Sequence, residues 1–247
     1  MTLTFVRVLA DAWALFRRER DLLLRVAGPF LFLPALALHL LLPAVPPLPA
    51  SLGDEAAVRV WLDAFSAWAS ANAPWYLLAE LAAIVGSGVI TALLVDRTRP
   101  DVGAALRLVG RLLPRLVLAS ILVAIPVGLG LWLLILPGLY VQARLLAVVP
   151  VLVVERPVGA ARSLARSLRL TRRTQLALFG TTTALLILQW LAMLPLAPLA
   201  NLLGAPGRGN PVALAIVAAA LALVAAGYRL AGVLAAVVAW RRLSSGT

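Results

Sequence analysis

Very few residues in this sequence are placed to do chemistry, and those few stand in apolar surroundings. Glu80, Arg144 and Arg229 are ionisable groups inside apolar runs, with the amides of Gln142 and Gln189 in similar settings. A charge held in hydrocarbon is costly and survives where it meets a partner or a polar cavity. Glu80 lies about two turns into its apolar run, and Arg144 a similar distance beyond Pro137-Gly138. At 1.5 Å per residue both depths come to roughly 8–9 Å. Equal depths predict an ion pair between Glu80 and Arg144, with Gln142 or Gln189 as further hydrogen-bonding groups. Such a pair either fixes helix register or marks a substrate or proton path. Arg229, beside Tyr228, is a snorkelling residue if its helix leaves the hydrocarbon early, and a buried polar site if not.

Other chemistries lack their residues. With no cysteine there is no thiolate nucleophile, disulfide or cysteine-held metal. The single histidine, His39, stands in the apolar run 36–41 with no carboxylate near it in sequence, and reads as a residue near a membrane interface. No G-x-S-x-G is present, and no phosphate-binding glycine loop stands between a strand and a helix. Val127-Gly128-Leu129-Gly130 lies within an apolar run, where close helix packing is the better reading. A metal site would need Asp11, Asp21, Asp96, Asp101 or Glu155 to converge. No enzyme activity, cofactor or metal is therefore expected.

The elements that hold these residues follow from composition. Of 247 residues, 63% are hydrophobic and 13% charged, about half the usual charged share of roughly 25%. A soluble domain of this length needs more polar surface than that. Apolar runs of about 20 residues match a hydrocarbon core of ~30 Å. Six are present, at 22–42, 75–95, 116–136, 139–154, 175–196 and 212–240. Pro137-Gly138 is a strong turn signal that divides the third from the fourth. The predicted fold is all-α: one integral membrane domain over 1–247, with six transmembrane helices plus amphipathic interfacial helices.

Sidedness comes from arginine. All 22 cations are arginine, against 10 carboxylates, for a net charge of +12. Seventeen fall in the N-terminal segment, the second and fourth connections and the C-terminus, whereas only Arg59 and Arg208 fall in the alternate connections. Arg97 and Arg99 are among the seventeen. The positive-inside rule then puts both termini in the cytoplasm. The 22–42 run is too long for the core of a cleavable signal peptide, so it reads as a span. Nucleic acid is not an expected partner, because the charge is spread over several membrane-flanking segments.

Those flanking segments are patterned. In 157–173, Arg162, Arg166, Arg169 and Arg173 share one helical face, opposite Ala161, Leu164, Ala165 and Leu168. In 101–115, Arg107, Arg111 and Arg115 form a similar stripe. In 3–20, Phe5, Val8, Leu9, Ala12, Trp13 and Phe16 make an apolar face. All three read as helices in the inner headgroup region. Arginine forks there fit phosphate oxygens, so anionic phospholipid headgroups are the expected partners; self-association stays open. Arg99-Pro100-Asp101-Val102-Gly103-Ala104-Ala105 parallels Arg156-Pro157-Val158-Gly159-Ala160-Ala161. This suggests a unit of interfacial helix, outward span and inward span, present three times. The first unit carries an outer insertion, 43–74, in which Asp54 is a helix N-cap and Trp61, Phe65 and Trp68 share a face. With Trp75, Tyr76, Trp132 and Tyr140 they suggest an outer aromatic belt.

The stretch 136–155 holds Pro137-Gly138, Arg144, Pro150 and Glu155, and 160–171 continues into Ser167-Leu168-Arg169-Leu170-Thr171. This resembles the bacterial YciC-like inner-membrane proteins and the membrane domain of some glycerophosphodiester phosphodiesterases. It covers about 40 residues well, and the six-span layout extends it loosely to the whole chain. The resemblance implies a polytopic protein of the bacterial inner membrane, with Arg144, Pro150 and Glu155 as family positions and no catalytic residue carried over. The expected function is non-enzymatic: interaction with lipid, or organisation of partners in membrane homeostasis. The alternative is a small oligomeric transporter or channel using Glu80 and Arg144.

Overall fold

An apolar chain in hydrocarbon must satisfy its own backbone, and without a closed barrel it does so as helices. The structure, a computed structural model, describes residues 4–51, 53–96, 100–203 and 210–244, and among these it contains helices and no strand. Leu3, Arg97, Arg99 and Arg208 lie outside the described residues, as does the side chain of Trp132. Helix α1 (Phe5–Ala27) runs through a π-helical turn (Gly28–Phe32) into α2 (Leu33–Leu41). Then come α3 (Glu55–Val95), α4 (Val102–Leu133), α5 (Ile135–Arg144) and α6 (Val148–Val154). Helix α7 (Ala160–Leu170) ends in a 3-10 turn, followed by α8 (Gln175–Met193), α9 (Leu196–Leu203) and α10 (Pro211–Ser244). Six stretches among them are long and apolar enough to cross a membrane. Their outward side chains are apolar too: Ile121, Ile125, Leu129, Leu188, Leu191 and Leu223 are all exposed. A bundle apolar outside as well as inside needs lipid around it, and the chain is an all-α, multi-pass membrane protein.

The amphipathic segments join the spans in two different ways. The first continues into its span, with Glu19 leaving helical geometry (φ −112°, ψ 16°) at the junction. The second also continues, and Pro114 sits inside the merged α4. The third, α7, stands apart as its own helix. The order of amphipathic segment, span and returning span thus occurs three times along the chain.

Glycine sets the closest helix contacts. A Cβ on Gly86 would stand 2.5 Å from Phe30 Cβ, so this glycine lets the first span lie against the second. A Cβ on Gly130 would stand 2.7 Å from Gly138 Cα, so the close packing expected of the 127–130 run occurs at Gly130, whereas a Cβ on Gly128 would meet nothing within 4 Å. Pro137-Gly138 is not the turn itself. Helix α4 ends at Leu133, Leu134 is extended, and α5 has already begun at Ile135. Proline is tolerated there because the N–H groups of a first helical turn have no intrahelical acceptor.

The 43–74 insertion folds onto its own helix. Asp54 caps α3 by accepting from the N–H groups of Ala56 (3.0 Å) and Ala57 (3.2 Å). From there α3 continues without a break through Pro74 into the second span. Trp61, Phe65, Trp68 and Tyr76 form a contiguous aromatic row. Trp61 Nε1 donates to the Pro46 carbonyl (3.2 Å) and Trp68 Nε1 to the Pro43 carbonyl (3.0 Å). The aromatic row therefore serves first to hold the Pro-rich segment against α3.

Both described ends of the chain meet at the arginine-rich end of the bundle. Arg242 pairs with Asp11, Arg241 donates to the Leu94 carbonyl, and Arg156 pairs with Asp96 at 2.9 Å. The core also sits toward that end, where Val8, Leu23, Ile90, Val109, Leu116, Leu152 and Val237 are fully buried.

Candidate functional site

The polar residues of the spans separate into two clusters. The first surrounds a central cavity of about 560 Å³ lined by side chains from α3, α4, α8 and α10 and from the α5–α6 segment. Gln142, Gln189, Tyr228 and Arg229 line it, together with Ser87, Thr91 and Thr182, among apolar residues such as Leu145, Val149, Leu185 and Val233. Arg229 makes a two-pronged pair with Glu80: Nη1 to Oε1 at 3.1 Å and Nη2 to Oε2 at 2.5 Å. This fork geometry is the strong form of an arginine–carboxylate contact. Arg229 stands twelve residues before Arg241, or about 18 Å along the helix. Helix α10 continues unbroken past it to Ser244, and Arg229 is turned onto Glu80. The two side chains are 44% and 48% exposed, so the cavity region reaches the bundle surface at their level.

Gln142 Nε2 donates to Tyr228 Oη at 3.3 Å, joining α5 to α10 beside the ion pair. Gln189 has no hydrogen-bond partner among the described residues. The hydroxyls of Thr91 and Thr182 donate to carbonyls of their own helices. Gly232 also faces the cavity, with nothing within 4 Å of the place a Cβ would occupy.

The second cluster belongs to Arg144, and it corrects the expected Glu80–Arg144 pair. Arg144 Nε donates to Thr171 Oγ1 (3.1 Å), Nη2 to the Leu168 carbonyl (2.6 Å), and Nη1 to Tyr140 Oη and Gln175 Oε1 (3.1 Å each). Tyr140 Oη donates to the same Gln175 oxygen at 2.9 Å. The physical reason is rotation about the helix axis. Gln142 and Arg144 are two residues apart, hence about 200° apart around α5. If Gln142 faces the cavity, Arg144 must face away from it. Counting depth along the sequence finds groups at one level and ignores the direction each one points. Arg144 then lies against the last turn of α7, where the partial negative charge of the helix C-terminus suits a cation.

The same cluster mends a broken helix. The chain leaves helical geometry at 145–147, between α5 and α6. The Arg144 carbonyl accepts from Ser167 Oγ at 2.8 Å, and Thr171 Oγ1 lies 3.1 Å from it. Hydroxyls of α7 and of the turn that follows it thus replace the backbone donor lost at the break, as hydrocarbon requires. Ser163, Ser167 and Thr171 are fully buried and recur every four residues on the face that packs into the bundle. This stripe was legible in the sequence, but the arginines beside it carry the louder pattern. Arg144 and the Ser167–Thr171 pair are therefore in direct contact.

The arginines on the amphipathic helices behave differently from those in the spans. Arg107, Arg111, Arg115, Arg162, Arg166, Arg169 and Arg173 are all exposed. Arg166 Nε pairs with Glu155 at 3.3 Å, and the other six have no ion-pair partner among the described residues. Helix α7 packs beside α4 and α6, so two of the three basic segments are neighbours. No protein-family model matches this chain, and neither a curated protein nor a solved structure does.

Proposed function

We propose that the chain is a non-enzymatic protein of the bacterial inner membrane, related to the YciC-like proteins. Its arginine-rich end faces the cytoplasm and holds anionic phospholipid headgroups. The observation that carries this reading is the set of six guanidinium groups with no ion-pair partner among the described residues, five on α4 and α7 and Arg173 in the turn that follows α7. Carboxylates that share this end of the bundle are already engaged: Asp11 with Arg242, Glu19 with Arg18, Asp21 with Arg20, Asp96 with Arg156 and Glu155 with Arg166, while Asp101 caps α4. An external anion is then the natural counter-charge. Each basic side chain near an anionic leaflet contributes about 1 kcal/mol, and the arginine fork matches phosphate oxygens. Mass spectrometry of lipids retained through purification tests it. Wild type should keep anionic phospholipid, and the triple variant Arg162→Gln, Arg169→Gln, Arg173→Gln should lose most of it. An unchanged lipid complement in the folded variant would sink the reading.

The central cavity supports a second reading, a small transporter that uses Glu80 with Arg229. Solute flux into liposomes that is abolished by Glu80→Gln would replace the first reading with this one.

A further inference from the structure

The central cavity differs from the basic face in charge, depth and lining, and its chemistry selects a different ligand. Its volume, about 560 Å³, falls within the range of roughly 300–1,000 Å³ typical of small-molecule sites. Its charges cancel, because Glu80 and Arg229 form a two-pronged pair at its edge. A cation entering at this level meets Arg229, and an anion meets Glu80. An uncharged hydrogen-bonding group meets neither penalty. It finds instead the side-chain amide of Gln189, which has no partner among the described residues. The Gln142 amide, whose NH₂ is bonded to Tyr228, offers its oxygen to the same cavity. Hydroxyls farther along the cavity are already spent on their own helices, as Thr91 and Thr182 show. The remaining wall is largely apolar. A few neutral hydrogen-bonding groups on an otherwise apolar wall match a molecule with a neutral head and a hydrocarbon tail.

We propose that this cavity binds one uncharged amphiphile. Its hydroxyl, ester or amide head sits at the level of Gln142, Gln189 and the Glu80–Arg229 pair, and its tail fills the chamber beside Gly232. The proposal stands apart from the headgroup reading of the basic face, since the two sites share no residue.

The test uses the full chain in phosphatidylcholine nanodiscs with a monoacylglycerol carrying a photoreactive diazirine in its acyl chain. Crosslinks should map to 145–149 and 225–236. Unlabelled monoacylglycerol should compete, and a fatty acid or alkyl trimethylammonium of equal chain length should not. Gly232→Phe places a ring in open space and should cut labelling about tenfold or more, with unchanged melting. Crosslinks confined to lipid-facing residues such as Leu188 and Leu191 would overturn the proposal. So would equal labelling of a folded Gly232→Phe, or competition by the charged amphiphiles. Should Gly232→Phe fail to fold, Gln189→Leu carries the test: it should weaken competition about five- to tenfold, and undiminished competition overturns the proposal.

Discussion

Removing one member of the Glu80–Arg229 pair leaves the other charged and alone in an apolar span. Two unit charges about 4 Å apart attract by roughly 4 kcal/mol at an effective dielectric constant near 20. That figure is an upper value here, since the side chains are 44% and 48% exposed and exposure weakens an ion pair. A lone charge inside a spanning helix is disfavoured by up to about 2.5–3.5 kcal/mol, the helix-centre value on insertion scales, so Glu80→Gln should destabilise by up to about 3 kcal/mol. At about 2–4 °C per kcal/mol for a chain of this size, melting should fall by up to roughly 6–12 °C. Arg229→Gln should behave alike, and the double variant should recover most of the loss. Thermal melting of the four proteins in one detergent gives the coupling energy, expected at about 2 kcal/mol or more. A parallel cycle of Glu80→Gln with Arg144→Gln should be additive within about 0.5 kcal/mol, because those residues share no partner. Coupling below that limit in the first cycle, or above it in the second, would refute the assignment.

Three further outcomes follow from the packing. Ser167→Ala with Thr171→Val strips the donors from the Arg144 carbonyl, and should destabilise by about 1–3 kcal/mol in a chemical unfolding titration; Ser163→Ala, whose hydroxyl bonds within α7 at 2.6 Å, should do less. Gly130→Ala drives a methyl group into the Gly138 backbone 2.7 Å away, so it should lower melting more than Gly128→Ala, whose Cβ meets nothing within 4 Å. Asp54→Ala removes the cap of α3 and should cost about 1 kcal/mol, visible as faster hydrogen exchange confined to the first turns of that helix.

How much was legible varied by residue type. The N-cap at Asp54, the close packing at Gly130 and the exposed arginine faces of 101–115 and 157–173 all appear where local pattern puts them. Each depends on neighbours within a turn or two, so sequence spacing is enough to see it. Pro137-Gly138 was misplaced by a few residues because proline suits a first helical turn as well as a reverse turn. The partner of Glu80 was misassigned for a more general reason. Arg144 and Arg229 are both arginines in apolar runs, and Glu80 is separated from them by 64 and 149 positions. Nothing local distinguishes them. The one usable signal was angular: Gln142 and Arg144 point to opposite sides of α5, so only one of them can face a shared interior.

The sequence alone determined that this chain lives in a membrane, that it crosses about six times, and that its arginines crowd one side. Those properties are additive over residues: apolar length sets the spans, and charge count sets the asymmetry. Tertiary structure alone decided which intramembrane groups meet. It turned Arg229 onto Glu80 and Arg144 onto the hydroxyl stripe of α7, and it opened a chamber lined from five of the six spans. Pairing in a bundle depends on how each helix is rotated about its own axis, and that rotation is set by contacts such as Phe30 on Gly86, between residues far apart in the chain.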